Sequence, residues 1–303
     1  MLQERRQHFG PCNYKLGQTW NLIGNAHFRQ EEYEKAIAAY EKALTCKEGC
    51  EKNSDLDHIA AAYGNIGTVC WSTGDIARSI ACIRKALELR LESEAGRDLG
   101  ESLTIATSYY QLGMALTMHC DFIKALDALN YALEIQQRVL GRKSVDVART
   151  LDAIGKVHLL QGDADESMNC HQEAYAIKYE VTGEYGPLVI SSLTNIAAAH
   201  ISRHEDKEAI LAYLAIRNAQ LSEMSKANDT YANDTYAQKR LAMEAGDTIQ
   251  ILVDLFTKTS AYQNAKLAAD EALGLYQQAG ITEDHPKMLR LKQSVKCLYS
   301  EAP

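Results

Sequence analysis

Several cysteine and histidine side chains are of types that could bind a metal ion. Cys46 and Cys50 are separated by three residues and His58 follows nearby, and thiolate and imidazole groups are ligands that Zn²⁺ prefers in proteins. A Cys-x3-Cys pair without a second pair is a weak signal for zinc, however. We therefore expect no metal site at these residues.

Two further histidine and cysteine pairs could suggest a nucleophile with its general base. His119 precedes Cys120, and Cys170 precedes His171. Sequence neighbours on a helix point in different directions, so neither pair can hold its thiol against its imidazole. The chain also has no phosphate-binding loop and no glycine-rich motif after a strand pattern. These observations predict a protein that is not an enzyme and that needs no cofactor or metal.

Charge and composition restrict the classes of partner. The chain of 303 residues carries a formal net charge of −8, which disfavours a general affinity for nucleic acid because that affinity requires clustered Lys and Arg. A basic or partly basic partner is the expectation. The longest apolar stretches are far shorter than the roughly 20 residues that span a bilayer. We expect a cytoplasmic protein that does not bind membranes, with its eight cysteines reduced.

The elements that position these side chains are indicated by an internal repeat. Five similar segments end in a small residue and a weaker sixth ends in valine; these closing positions are Gly24, Gly67, Gly113, Gly155, Ala197 and Val253. Twelve residues after each closing position stands another small residue: Ala36, Ser79, Ala125, Ser167, Ala209 and Ala265. A fixed period of a few tens of residues is typical of stacked helical repeats.

The repeated pattern predicts an antiparallel helix pair. A small residue in the first helix is needed where the second helix crosses it closely, and we expect that residue to meet the Ala or Ser of the second helix. Gly74-Asp75 and Gly162-Asp163 stand at the midpoint of their repeats. Glycine can end the first helix there, and aspartate can cap the second.

In these features the chain resembles the tetratricopeptide repeat family, and its period near 42 residues resembles the repeats of kinesin light chain. The family's inter-repeat loop, Leu-Gly-x-x-His-Pro-x-Val, is similar to the segments Leu140–Val147, Gly183–Val189 and Gly280–Pro286. The resemblance implies an all-α fold, a right-handed superhelical solenoid of antiparallel helix pairs. It also implies a protein-binding scaffold or adaptor.

The repeat phase predicts the organisation of the chain as a single array. Six repeats are expected at approximately 17–50, 60–96, 104–141, 147–183, 189–224 and 246–280, with a capping helix at 284–300 and residues 1–10 as the remnant of a preceding helix. About fourteen extra residues precede the sixth repeat and contain a tandem Asn-Asp-Thr-Tyr-Ala at 228–237. This insert is either an extended loop or an overlong helix.

The register of the resembled family predicts which side chains face the concave groove formed by first helices. Amides there can donate to and accept from an extended peptide backbone, and apolar pockets can add preference for side chains. The candidate peptide-binding residues are Asn21, Asn25, Phe28, Asn65, Thr68, Trp71, Gln111, Met114, Arg149, Lys156 and Asn195. The alternative is that each of these residues is solvated on a polar face and binds no ligand.

One subfamily of the resembled proteins grips a carboxylate terminus with two asparagines and three cations. Asn25 and Asn65 stand at the asparagine positions, but Asn21, Thr107 and Gln111 replace the cations. Without cations the clamp loses its charge-assisted hydrogen bonds, so this ligand is disfavoured.

His27, His158 and His200 share one register of the repeat. Stacked repeats lie roughly 10 Å apart, with second helices between the first ones, so these histidines are not expected to meet around a metal. We expect them to be core or half-buried residues.

The predicted function is capture of a peptide or protein segment in the concave groove. One alternative is a regulatory domain or fragment of a larger protein that is associated with an enzyme or a motor. A second is a self-associating scaffold, a homo-oligomer formed through the N-terminal end. The identity of the partner is not encoded in any motif of the chain.

Overall fold

The computed structural model describes residues 14–46, 56–93, 102–183, 186–230 and 235–301. These residues form thirteen α-helices and no β-strand, which confirms the all-α class. Residue contacts divide the chain into two compact units, 1–157 and 158–303. The predicted remnant at 1–10 and the N-terminal self-association surface lie outside the described residues.

The first unit contains three helix pairs. They are α1 (Tyr14–Arg29) with α2 (Tyr33–Thr45), α3 (Leu56–Ser72) with α4 (Ile76–Ser93), and α5 (Leu103–Met118) with α6 (Phe122–Leu140). Helix α7 (Val145–Gln161) follows them in the chain. Second helices also pack against the first helix of the next pair, because α2 contacts α3 and α4 contacts α5.

The second unit begins with α8 (Ala164–Thr182) and continues with two longer helix pairs. These are α9 (Pro187–Ser202) with α10 (Asp206–Thr230), and α11 (Thr235–Lys258) with α12 (Tyr262–Gln278). The insert lengthens α10 to 25 residues and α11 to 24, with residues 231–234 outside the described part. Of the two alternatives for the insert, the structure therefore shows overlong helices on both sides.

Six of the short turns between consecutive helices each contain one residue with positive φ, seven positions after the closing position. These residues are Glu31, Gly74, Cys120, Gly162, His204 and Ser260, with φ between 59° and 91°. Four of the six are not glycine, which is uncommon for the left-handed region and indicates that the surrounding helix pair imposes the turn. Ser260 places the sixth repeat in the same phase as the others.

Of the two aspartates predicted to cap a second helix, Asp75 makes the capping hydrogen bond and Asp163 does not. Asp75 accepts a hydrogen bond from the backbone N–H of Arg78 at 3.1 Å. Asp121 and Asp163 make no side-chain capping bond. The carboxylate of Asp121 accepts instead from the Lys124 ammonium at 2.6 Å.

The small residues of the second helices are all fully buried. Ala36, Ser79, Ala125, Ser167, Ala209 and Ala265 each have 0% exposure. The closing glycine meets this small residue as predicted, since the Ser79 hydroxyl donates to the Gly67 carbonyl at 2.8 Å. A Cβ on Gly113 would lie 2.6 Å from Leu129 Cγ and 3.1 Å from the carbonyl oxygen of Ala125. The small residue, such as Ala125, thus lets the backbone of the second helix approach the glycine of the first. The bulky residue four positions later, such as Leu129, fills the remaining space between the two helices.

A buried polar contact recurs where a second helix meets the next first helix. The side chain of the second helix reaches a fully buried hydroxyl in the pairs Arg90 with Ser108, Gln136 with Thr150, and Lys178 with Ser192. The Thr150 hydroxyl donates to Gln136 Oε1 at 2.7 Å. Because a buried polar group needs a partner, these contacts fix how adjacent helices align.

We expect Thr150→Val to lower the free energy of unfolding by about 2 kcal/mol, because it leaves the buried Gln136 oxygen without its donor. The double variant Gln136→Leu, Thr150→Val should recover most of that loss, since it removes both polar groups. Urea unfolding followed by circular dichroism measures both effects. Equal destabilisation of the single and double variants would contradict the role of the hydrogen bond.

Helix α13 (Pro286–Glu301) covers the last pair through both apolar and ionic contacts. Met288 and Leu291 are each 1% exposed and join the core formed with α11 and α12. The Lys287 ammonium lies 2.5 Å from an Asp247 carboxylate oxygen, and the Arg290 guanidinium lies 2.7 Å from Asp254. These ion pairs orient α13 on α11.

Candidate functional site

Four of the predicted peptide-binding residues meet in a pocket of the first unit. Thr68 and Trp71 project from α3, and Gln111 and Met114 from α5, because residues three apart lie on one helical face. Ile83 of α4 and Tyr110 of α5 complete the lining of this α3–α5 pocket. Its volume is about 190 Å³. The pocket is a gap between neighbouring first helices, floored by a second helix.

The lining of the α3–α5 pocket is largely apolar. Trp71 is 42% exposed, and its indole forms a wall that a ligand can reach from solvent. The Thr68 hydroxyl donates to the Gly64 carbonyl at 3.0 Å and is therefore already engaged. Burial raises the pKa of the Tyr110 phenol, so this group stays protonated at neutral pH. The arrangement suits an apolar side chain beside the polar groups of Tyr110 and Gln111.

A smaller hollow of about 90 Å³ lies on the other side of Tyr110. Leu103 and Thr107 of α5 and Arg149 of α7 are among its lining residues. Arg149 is exposed, and its guanidinium lies 3.2 Å from the Asp146 carboxylate. Tyr110 therefore separates two cavities along α5, one mainly apolar and one with a mixed polar and apolar lining.

The candidates on α1 are held by contacts within the fold. Asn21 is only 8% exposed, and its Nδ2 donates to the His58 carbonyl at 3.0 Å. Asn25 Oδ1 accepts from the Tyr40 hydroxyl at 2.8 Å. The side-chain N–H of Asn21 is thus engaged by a buried backbone carbonyl of α3. Asn21 therefore packs α1 against α3 and does not face the groove.

The other α1 candidate, Phe28, is half-buried and packs against Tyr33 with ring centroids 5.9 Å apart. Three further candidates keep solvent access. Asn65 of α3 and Asn195 of α9 are half-buried, and Lys156 of α7 is exposed. Asn195 belongs to the second unit, whereas the pocket belongs to the first.

Ile83 was not predicted as a site residue because it belongs to a second helix. It stands sixteen positions after Gly67, and a Cβ on Gly67 would lie 2.7 Å from Ile83 Cγ1. A bulky residue at this spacing from a closing glycine is the signal that sequence comparison of the repeats could have used.

Each histidine of the shared register faces the carboxylate five residues later. The Nδ1 atoms lie 2.5 Å from Glu32 for His27, 3.9 Å from Asp163 for His158 and 2.7 Å from Glu205 for His200. Hydrogen bonding to His200 lowers the pKa of the Glu205 carboxyl. Each pair joins the two ends of one turn, so these histidines are half-buried structural residues, as expected.

The described residues contain neither a metal-binding cluster nor a helix that could span a membrane. Among the described residues, no group of three or more His, Cys, Asp or Glu side chains is arranged to hold a metal ion. Cys50 lies outside that part of the chain, and Cys46 is buried with its thiol donating to the Lys42 carbonyl at 3.3 Å. No described helix is long and apolar enough to cross a membrane.

The sequence model of the family described as Tetratricopeptide repeat matches residues 15–92 and 104–180, just over half of the chain. Protein KINESIN LIGHT CHAIN-RELATED 3 from Arabidopsis thaliana is 21% identical over 77% of this chain and 35% of its own length. The chain spans between 28% and 53% of the length of the three curated relatives it matches.

Solved structures share the fold. BtubC (BKLC) from P. vanneervenii superposes with a TM-score of 0.63 at 20% identity, over 73% of this chain and 86% of that chain. The APC/C hetero-tetramer Cut9-Hcn1 contains a chain that superposes with a TM-score of 0.59 at 13% identity, over 97% of this chain and 45% of that chain. The kinesin-light-chain-like character of the repeats is confirmed by these similarities.

Proposed function

The chain belongs to the tetratricopeptide repeat family, and from this premise we propose that it captures an extended peptide segment of a partner protein along its first helices. Stacked helical repeats generally serve as protein-interaction scaffolds, because each pair adds to one continuous binding surface. The Cut9-Hcn1 hetero-tetramer is an assembly built on such a fold. A binding role is therefore the first hypothesis for this chain.

The observation that carries the proposal is the α3–α5 pocket. Its volume of about 190 Å³ and its apolar lining suit one bulky apolar side chain of a ligand. An aromatic wall such as Trp71 is the kind of anchor that contributes most to peptide affinity. In this proposal the pocket selects the side chain, and the surrounding polar residues hold the ligand backbone.

Two amides next to the pocket are placed to hold that backbone. Asn65 lies one turn before Thr68 on α3, and Gln111 lines the pocket from α5. Neither side chain makes a hydrogen bond to another described residue, so both can donate to and accept from a ligand. Asn25 is less suited to this role, because its oxygen already accepts from Tyr40.

A binding role fits the polar residues better than a catalytic one. The histidines of the shared register face carboxylates at turns and are not placed beside the α3–α5 pocket. The pocket itself is lined by Thr, Trp, Ile, Tyr, Gln and Met, and Thr68 has its proton directed to the Gly64 carbonyl. General acid-base or nucleophilic catalysis requires a group tuned for proton transfer within reach of a substrate.

The proposal is tested with ligands selected from a displayed library of random peptides on the intact chain. We expect selected peptides to lose about tenfold in affinity on Asn65→Ala and on Gln111→Ala, whatever their sequence, because both amides hold the backbone. Isothermal titration calorimetry with synthetic peptides measures the loss. Asn130→Ala, at an exposed asparagine of the second helix α6, is the matched control and should bind normally.

Two outcomes would contradict this function. A library that yields no enriched peptide argues against peptide capture by this chain. Enriched peptides that bind the Asn65→Ala, Gln111→Ala double variant as tightly as the unchanged chain would place binding elsewhere. Circular dichroism of each variant separates lost binding from lost helix.

A further inference from the structure

The smaller hollow beside Tyr110 is bounded by three helices of the first unit. Thr107 of α5, Gln136 of α6 and Arg149 of α7 each contribute to its lining. Its volume of about 90 Å³ is the space of about three water molecules. A carboxamide group consists of one carbon, one oxygen and one nitrogen, so this α5–α7 hollow has the size of one side-chain amide.

Gln136 presents a hydrogen-bond donor to the α5–α7 hollow. The side chain is 7% exposed, and its Oε1 accepts from the Thr150 hydroxyl at 2.7 Å. Its Nε2 group donates to none of the residues that the structure describes. A donor on so buried a side chain normally has an acceptor, because an unmade hydrogen bond costs free energy. A ligand oxygen in the hollow would supply that acceptor.

The junction between α6 and α7 does not itself require an amide at this position. Arg90, Gln136 and Lys178 each stand twenty-three positions after the closing glycine of their repeat, and each reaches a buried hydroxyl of the next first helix. Cations therefore make the same contact in the neighbouring repeats. Thr150 is 0% exposed and holds the Gln136 oxygen, so the Nε2 group is oriented before any ligand arrives.

An ion pair forms the α7 side of the hollow. Arg149 and Asp146 both line it, and Arg149 Nη2 lies 3.2 Å from Asp146 Oδ1. One contact leaves further donors on the guanidinium and further lone pairs on the carboxylate. Because the two charges cancel, the hollow offers both a donor and an acceptor without favouring a ligand of either sign.

These groups discriminate among the side chains of a ligand. A carboxylate would accept from Gln136 and Arg149 but would lie beside the Asp146 carboxylate. An ammonium would lie beside the Arg149 guanidinium and would leave the Gln136 donor unused. A carboxamide avoids both conflicts, because its oxygen can accept from Gln136 while its NH2 group donates to Asp146.

We propose that the α5–α7 hollow binds the side-chain amide of an Asn or Gln residue of the captured peptide. This rests on the proposed function, since the same peptide fills the α3–α5 pocket with an apolar side chain. Tyr110 lines both cavities and separates them by one aromatic ring. Alternate side chains of an extended chain lie about 7 Å apart, so the amide stands two or three residues from the apolar side chain.

The test uses peptides selected on the intact chain from a displayed random library, and retains those whose binding is weakened by Trp71→Ala. We expect these peptides to be enriched in Asn or Gln within three residues of their apolar anchor. A selected peptide is then synthesised with Gln, Glu or Leu at the enriched position. Calorimetric titration should show that the Gln form binds about tenfold tighter than the other two forms.

Two variants of the chain test which residues recognise the amide. In Asp146→Asn the Arg149 guanidinium is no longer neutralised, so the Glu form should bind about tenfold tighter than the Gln form. The double variant Gln136→Leu, Thr150→Val should bind the Gln and Leu forms equally, because the donor is gone. Asp127→Asn, at an exposed aspartate of α6, is the matched control and should keep the original order. Circular dichroism of each variant checks that it is folded.

Trp71-dependent peptides that carry no enriched amide overturn the amide hollow and leave peptide capture intact. The same follows if the Gln, Glu and Leu forms bind equally, or if Asp146→Asn keeps the order of the unchanged chain. A library without enriched peptides, or with peptides indifferent to Trp71→Ala, overturns peptide capture and the amide hollow together. Dependence on Trp71 therefore distinguishes the two failures.

Discussion

Gly113→Ala is expected to lower the free energy of unfolding of the first unit by about 2 kcal/mol, although alanine is the better helix former. The added Cβ would lie 2.6 Å from Leu129 Cγ and 3.1 Å from the Ala125 carbonyl oxygen. Neither group can move easily, since Leu129 and Ala125 are both fully buried. Helices α5 and α6 must then separate, and buried apolar contacts are lost along both.

Gly64 of α3 supplies the matched control for this substitution. A Cβ there would have its nearest neighbours at 3.9 and 4.0 Å, which is ordinary van der Waals contact. Gly64→Ala should therefore stabilise the chain by about 1 kcal/mol through helix propensity alone. Urea unfolding compares the two. Similar shifts for both variants would show that the crossing at Gly113 tolerates a side chain.

A double substitution separates steric overlap from other causes. Leu129→Ala by itself should destabilise by about 3 kcal/mol, because it leaves a cavity between α5 and α6. In that background Gly113→Ala should no longer destabilise, since the new methyl group enters the vacated space. Additive losses in the double variant would contradict direct contact as the cause.

For peptides selected on the intact chain, Trp71→Ala is expected to weaken binding by about 100-fold, or roughly 3 kcal/mol. The indole is the largest side chain of the α3–α5 pocket, and its removal leaves the ligand's apolar side chain without one wall. Since Trp71 is 42% exposed, stability should change much less than affinity. Calorimetric titration and urea unfolding measure the two quantities separately.

Met114→Glu should give a similar loss of binding by a different physical route. A carboxylate in the apolar pocket has to be desolvated when a ligand side chain enters. Tyr131→Ala is the control for loss of an exposed aromatic ring, because Tyr131 is 57% exposed on the second helix α6. Peptides that bind the Trp71 and Met114 variants normally would remove the pocket from the proposed function.

The sequence was sufficient to predict the helix-pair fold, because each repeat is a short local pattern that recurs and contacts mainly its neighbours. The phase of the pattern also located the buried small residues such as Ala125 and Ala265, both 0% exposed. It assigned the weak sixth repeat as well, and the positive φ of Ser260, seven positions after Val253, agrees with that phase. These features depend on spacing along one helix pair and need no distant partner.

Side-chain direction was decided only by the tertiary structure. The register placed Asn21 in the groove, but its amide turns to the His58 carbonyl, which lies 37 residues away in sequence. Spacing correctly paired Gly113 with Ala125, whose carbonyl oxygen would lie 3.1 Å from a Cβ on Gly113, but it did not identify Leu129 as the nearer side chain. In each case several groups compete for one buried space or one hydrogen bond, and the structure depends on which group occupies it. That competition involves residues from different helices, so no periodicity within one helix can predict it.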